Sequence, residues 1–68
     1  MHIGKKLKEL RISAHLTQQQ FSEKMKISRV NYTRYETDAA RPDYETLIRI
    51  ADFYEISLDD IFDRKKFF

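Results

Sequence analysis

Residues 17–36 read TQQQFSEKMKISRVNYTRYE. Thr17 with Gln20 is the pattern of a capping box, and Leu16 and Phe21 stand where a hydrophobic staple fixes the entry of a chain into a helix. Ser28 offers a second N-cap, with Ile27 and Tyr32 as its staple pair. Only Lys26 and Ile27 separate Met25 from Ser28, a connection too short for two helices to lie antiparallel. The stretch therefore predicts helices over 17–25 and 28–36 that meet at a steep angle. Along the second, Ser28, Tyr32, Tyr35 and Glu36 share one side by three- and four-residue steps, and Arg29, Val30, Thr33 and Arg34 share the other. Tyr32 and Tyr35 are expected in the core.

Working outward, the same two signals recur. Ile3, Leu7, Leu10 and Ala14 step by three and four, which predicts a helix over 3–14. After a polar connection from Thr37 to Arg41, Pro42-Asp43 reads as a stop followed by an N-cap, with Glu45 in the first turn where the helix dipole favours it. Leu47, Ile50, Ala51 and Tyr54 then give the apolar line of a helix over 43–55. Ser57 with Asp60 forms another capping box, stapled by Ile56 and Ile61, and Leu58, Ile61 and Phe62 line a helix over 57–63. One glycine and one proline leave little turn chemistry for hairpins. The expected fold is all-α, a single domain over 1–63 with a short tail over 64–68.

A chain of 68 residues buries only about 60% of the surface that its unfolded form exposes, so modest stability is expected. No cysteine is present to supply a disulfide, which fits a reducing cytoplasm, and no Cys/His cluster suggests a metal. No apolar run approaches the length of a membrane span, and MHIGKKLKEL lacks the apolar core of a signal peptide. The expectation is a soluble cytoplasmic domain without cofactor or metal. Nor is an enzyme expected: no Ser/His/Asp arrangement or glycine-rich phosphate loop is visible, and so small a domain offers little shelter for a pocket.

The net charge of +2 hides a division. Residues 1–34 hold eight basic side chains against two acidic, a balance of +6, while residues 35–68 hold five against nine, a balance of −4. One half suits a polyanion and the other does not, although a mixed solvated surface gives the same totals. The outer face of the helix over 28–36 points the same way, and duplex DNA is the first candidate. Two arginines on a helix are also common on plain solvated surfaces. What adds weight is the start of the preceding helix, where Thr17, Gln18 and Gln19 bring side-chain donors and free backbone N–H groups to a site that suits a phosphate. A short turn between two steeply crossed helices is the geometry of a helix-turn-helix.

Ile3-Gly4, Lys6-Leu7 and Leu10-Arg11 are followed in order by Leu16-Thr17-Gln18, Phe21, Met25, Ile27-Ser28 and Arg34-Tyr35-Glu36. Pro42, Thr46-Leu47, Ala51 and Ile56-Ser57-Leu58-Asp59-Asp60-Ile61-Phe62 complete the series. Through these residues the stretch 3–62 resembles the Cro/repressor-type helix-turn-helix domain, the XRE family of bacterial and phage regulators. The resemblance implies a compact five-helix, lambda-repressor-like fold whose third helix is the recognition helix. It implies DNA contacts from Arg29, Val30, Asn31, Thr33, Arg34 and Arg41, a phosphate grip by Gln18 beside Thr17 and Gln19, and an ion pair between Arg11 and Glu36. The implied activity is that of a cytoplasmic repressor binding a two-fold-related operator as a homodimer. Leu58, Ile61, Phe62, Phe67 and Phe68 are candidates for the dimer interface. Packing on the domain's own core is the simpler account of the two terminal phenylalanines. An alternative is an antitoxin or accessory regulator whose main partner is a protein. Glycine is usual in the family where His15, Lys26 and Asp38 stand, positions that often need positive φ, so either these helix ends are strained or the turns differ slightly.

Overall fold

The computed structural model describes residues 3–62. Met1, His2 and residues 63–68 lie outside them, and with them the end of the last expected helix and the candidate interface residues Phe67 and Phe68. The described residues fold into α1 (Gly4–Ser13), α2 (Gln18–Met25), α3 (Arg29–Glu36), α4 (Tyr44–Tyr54) and α5 (Leu58–Phe62). The expected bounds included the flanking residues, and those flanks do the capping. Thr17 Oγ1 accepts from the Gln20 amide at 3.0 Å while Gln20 Oε1 accepts from the Thr17 amide at 2.9 Å. Ser28 Oγ accepts from Asn31 N at 3.1 Å, and Asp43 Oδ1 from Thr46 N at 2.8 Å. Ser57 and Asp60 form the second reciprocal box, at 3.1 and 3.2 Å. Each bond satisfies an amide that a helix start leaves without an intrahelical partner.

α1 starts differently. Its N-cap is Ile3, which has no side-chain acceptor. The cap comes instead from the far end of α3: Asp38 Oδ1 accepts from Ile3 N at 3.1 Å and from Gly4 N at 3.0 Å. This close approach explains Gly4. A Cβ there would lie 2.2 Å from the Glu36 carbonyl oxygen and 2.7 Å from its carbon, so any side chain would push α1 off the end of α3.

The other helix ends obey one rule. His15, Lys26, Asp38 and Glu55 hold φ of 60°, 57°, 61° and 56°. After each, the next amide reaches back to a carbonyl five residues earlier: Leu16 to Arg11 at 3.1 Å, Ile27 to Ser22 at 2.9 Å, Ala39 to Arg34 at 2.9 Å and Ile56 to Ala51 at 3.0 Å. This is the Schellman closure, which requires one left-handed residue. Three of these are the positions where glycine is usual in the family, and of the two alternatives left by the sequence the strained end is the one observed; Glu55 adds a fourth. The chain keeps the closure without glycine and carries the steric strain that a Cβ brings there. Leu16, Ile27 and Ile56, the residues just beyond, are half-buried against the core, and this packing holds the strained turns in place.

The core is built from Ile3, Leu7, Phe21, Met25, Tyr32, Ile50, Ala51 and Ile61. Phe21 stands at its aromatic centre, 4.9 Å from the Tyr32 ring and stacked on Tyr54 at 5.5 Å, with Phe53 edge-on at 5.2 Å. Ala14 departs from the expected apolar line. It is exposed, because α1 ends at Ser13 and the turn carries Ala14 off the buried face.

Two substitutions test this account in a thermal melt. Lys26→Gly relieves a left-handed side chain and is expected to stabilise by about 1 kcal/mol, raising Tm by about 4–8 °C. Gly4→Ala forces two backbones apart and is expected to destabilise by about 1–3 kcal/mol. An unchanged Tm in either variant contradicts its half of the account.

Candidate nucleic-acid interface

α3 is held from both sides, and its side chains divide accordingly. Tyr32 is fully buried, and Tyr35 is half-buried with its ring 6.4 Å from that of Tyr32. Arg29, Val30, Asn31 and Arg34 are exposed, Val30 to 64%, and Thr33 is half-buried at the edge of that surface. The inner and outer faces expected from spacing are thus the faces observed.

The C-terminal end of α3 is fixed by one carboxylate. Glu36 Oε2 accepts from Arg11 Nε at 2.6 Å, and Oε1 accepts from Arg11 Nη2 at 3.1 Å and from Gln18 Nε2 at 3.0 Å. Arg11 also donates through Nη1 to the Leu16 carbonyl at 2.8 Å, which ties the end of α1 into the same knot. Both charged side chains are nearly sealed, at 10% and 3% exposure. Burial works against ionising Glu36, but the hydrogen bonds from Arg11 and Gln18 outweigh it and hold the carboxyl below its ordinary range. The bond to Glu36 correspondingly raises Arg11. Burial pushes the Tyr32 phenol well above its usual range. The nearby Glu36 charge adds to this, although no hydrogen bond of regular geometry joins the two. Tyr54 is pushed up to about 12, again by burial first.

The polar residues at the start of α2 are engaged within the protein. Thr17 caps Gln20, Gln19 Nε2 donates to Glu23 at 2.7 Å, and Gln18 Oε1 accepts from the Thr33 hydroxyl at 2.7 Å. Gln18 therefore bridges α2 to Thr33 and Glu36 on α3. The backbone amides of Gln18 and Gln19 have no partner among the described residues, and they remain available to an anion beside α3. Arg41 is exposed on the loop after α3 and lines a shallow apolar groove with Ile3, Pro42, Tyr44, Leu47 and Phe62. Within the candidate interface set, Ile61 is a correction: at 1% exposure it belongs to the core of its own domain and has no surface to offer. Leu58 and Phe62 are half-buried.

Two positioning residues had no reading of their own as contacts in the sequence. Asp38 caps α1, and its only signal was an aspartate where a left-handed turn favours Asn, Asp or Gly. Arg49 donates to the Met25 carbonyl and so anchors the end of α2, just before the turn into α3, to α4. An arginine set between the apolar residues Ile48 and Ile50 gives no hint of which distant carbonyl it will reach.

A family model described as helix-turn-helix matches residues 7–61. The chain belongs to the Cro/repressor-type helix-turn-helix family. Among curated members, the HTH-type transcriptional regulator ImmR of Bacillus subtilis is 41% identical over 59 residues, covering 87% of this chain and 46% of ImmR. The cryptic phage CTXphi transcriptional repressor RstR of Vibrio cholerae is 36% identical over 61 residues, covering 90% of this chain and 54% of RstR. The HTH-type transcriptional activator BcrR of Enterococcus faecalis is 31% identical over 61 residues, 90% of this chain but 30% of BcrR. The chain thus spans about half or less of the length of these relatives. No helix among the described residues is long and apolar enough to cross a membrane.

The depressed Glu36 carboxyl makes a stability prediction with a definite sign. Because its folded value lies below the ordinary 4.5, its contribution is present above pH 4.5 and is lost as pH falls through the folded value. Urea melts from pH 6 downward are expected to show this loss. Glu36→Gln should be less stable at neutral pH and flatter in acid. Asp43, also held low through its bonds to Thr46, leaves a residual slope. A variant with the full wild-type acid dependence removes Glu36 from the account.

Proposed function

We propose that this protein is a sequence-specific DNA-binding transcriptional repressor that places α3 in the major groove of a two-fold-related operator. The observation that carries the reading is the division of α3. Its inner face is locked by Tyr32, Tyr35 and the Arg11–Glu36 pair, while Arg29, Val30, Asn31 and Arg34 stand clear of the protein. Arg29 and Arg34 are suited to bidentate bonding with guanine, and Val30 to contact with a thymine methyl. The free amides of Gln18 and Gln19 suit a phosphate beside that groove, with the Thr17 and Gln18 side chains holding the turn in place. Arg41 adds a phosphate contact if the duplex extends past the end of α3.

Family membership supports DNA as the partner, and the phage repressor RstR, 36% identical against 31% for the activator BcrR, favours repression. A homodimer is proposed because one short recognition helix covers few base pairs, and two copies on half-sites one helical turn apart restore affinity and symmetry. Leu58 and Phe62, with the exposed Tyr44 nearby, are the described side chains offered to that contact.

Selecting binding sites from random duplexes tests the reading, because a two-fold-related consensus is expected. Binding should weaken steeply with salt as counterions are released. Arg29→Ala is expected to weaken operator binding by about 1–3 kcal/mol and to relax preference at one base pair. If operator and random DNA lose the same affinity, Arg29 touches only the backbone. If the wild-type chain selects no sequence, the proposal fails as a whole.

A further inference from the structure

We propose that Thr33 acts on DNA as a hydrogen-bond acceptor only, and that the Glu36 carboxylate imposes this polarity through Gln18. The proposal rests on α3 being the recognition helix and concerns which bases one of its residues selects.

The polarity follows from the bonds in order. Glu36 is 3% exposed, and its two oxygens accept three hydrogen bonds, two from Arg11 and one from Gln18. An ionised carboxylate can only accept. The amide of Gln18 must therefore turn its NH2 group to Glu36. The flipped amide would set a carbonyl oxygen against the carboxylate at 3.0 Å with no proton between them. With the orientation fixed, Gln18 Oε1 faces Thr33 Oγ1 at 2.7 Å, and of the two oxygens only the hydroxyl carries a proton to donate. The single hydroxyl proton of Thr33 is then committed inward. Every donor in the chain points toward Glu36, and Thr33 has only lone pairs left for anything outside the protein.

Thr33 sits one turn from Arg29 and Val30 and beside Arg34, all of them exposed, and is itself half-buried, so the residue borders the surface offered to the groove. A threonine free to rotate serves donor and acceptor bases alike. One held as an acceptor does not. Phosphate oxygens, guanine N7 and O6 and thymine O4 only accept, and they gain nothing from it. The exocyclic amines of adenine and cytosine donate into the major groove. Thr33 is thus a specificity-determining residue that favours adenine or cytosine on the strand it faces, and Gln18 is the positioning residue that makes it so.

The test compares binding-site selections from random duplexes for the wild-type chain, Thr33→Val, Thr33→Ser and Gln18→Leu, each first shown to be folded by circular dichroism. At one base pair the wild type should favour adenine or cytosine over guanine or thymine by about 3- to 10-fold, the worth of one neutral hydrogen bond. Thr33→Val keeps shape and methyl but removes the oxygen, and should lose that preference while keeping the rest of the consensus. Thr33→Ser should retain it. Gln18→Leu frees the hydroxyl proton, so guanine and thymine should become acceptable at the same position, whatever happens to overall affinity. This arm decides alone if Thr33→Val does not fold. A Thr33→Val consensus identical to wild type, or a Thr33-dependent position that prefers guanine or thymine, overturns the inference and leaves the operator reading standing. A wild-type chain that selects no sequence overturns both.

Discussion

The guanidinium of Arg11 on the carboxylate of Glu36 is the contact through which the rest of the domain is oriented. It joins the end of α1 to the end of α3, and its two partners reach further, Arg11 to the Leu16 carbonyl and Glu36 to Gln18 at the start of α2. Three helices that otherwise meet through apolar packing, the Asp38 cap on α1 and the Thr33–Gln18 bond are thereby given one relative rotation. Apolar contacts are non-directional and tolerate small slips, whereas a bidentate ion pair at 2.6 and 3.1 Å does not. Removing one partner would leave a nearly sealed charge without its counterion, which is why breaking such a pair costs about 3–5 kcal/mol when it is fully buried. In a domain of this size that is a large part of the total stability. The same pair connects the inner and outer faces of α3, because the amide that Glu36 orients is the amide that receives the Thr33 proton.

Around this joint the fold relies on turns that are strained one by one. Four helices end in a left-handed residue bearing a side chain, and each is followed by an amide that closes back five residues. The strain persists because the residue beyond three of those turns is an apolar side chain held against the core. Release would expose it. The arrangement also shows why the one glycine of the chain stands at position 4 and not at a helix end. A left-handed turn tolerates a Cβ at moderate cost, but a Cβ 2.2 Å from the Glu36 carbonyl oxygen forces two backbones to shift apart.

Much of the outline was legible before any coordinates. The caps at Thr17, Ser28, Asp43 and Ser57 marked four helix starts to the residue, because a cap acts on an amide two or three positions away and leaves its trace in local spacing. The three- and four-residue steps of α3 separated Tyr32 and Tyr35 from Arg29, Val30 and Arg34 for the same reason. Where distance along the chain was large, local spacing failed. Ala14 fitted an apolar line but falls after the turn has left it, and Ile61, one of the candidates for a dimer interface, is sealed inside. Gln18 was legible as a polar side chain at a helix start, yet nothing local told that its amide faces two residues of another helix.

The sequence by itself determined the helices, their caps, the short steep turn and which side of α3 is apolar, since each of these depends on residues within about one helical turn of one another. It also carried the family, through motifs that recur in order across the chain. Only the tertiary structure decided that Asp38 caps a helix beginning 34 residues earlier, that Arg49 reaches the Met25 carbonyl, and that the hydrogen bonds from Thr33 to Glu36 all run one way. Those are pairings between groups far apart in the chain. A lone carboxylate, guanidinium or amide is compatible with many partners in a sequence, and the packed core leaves it only one.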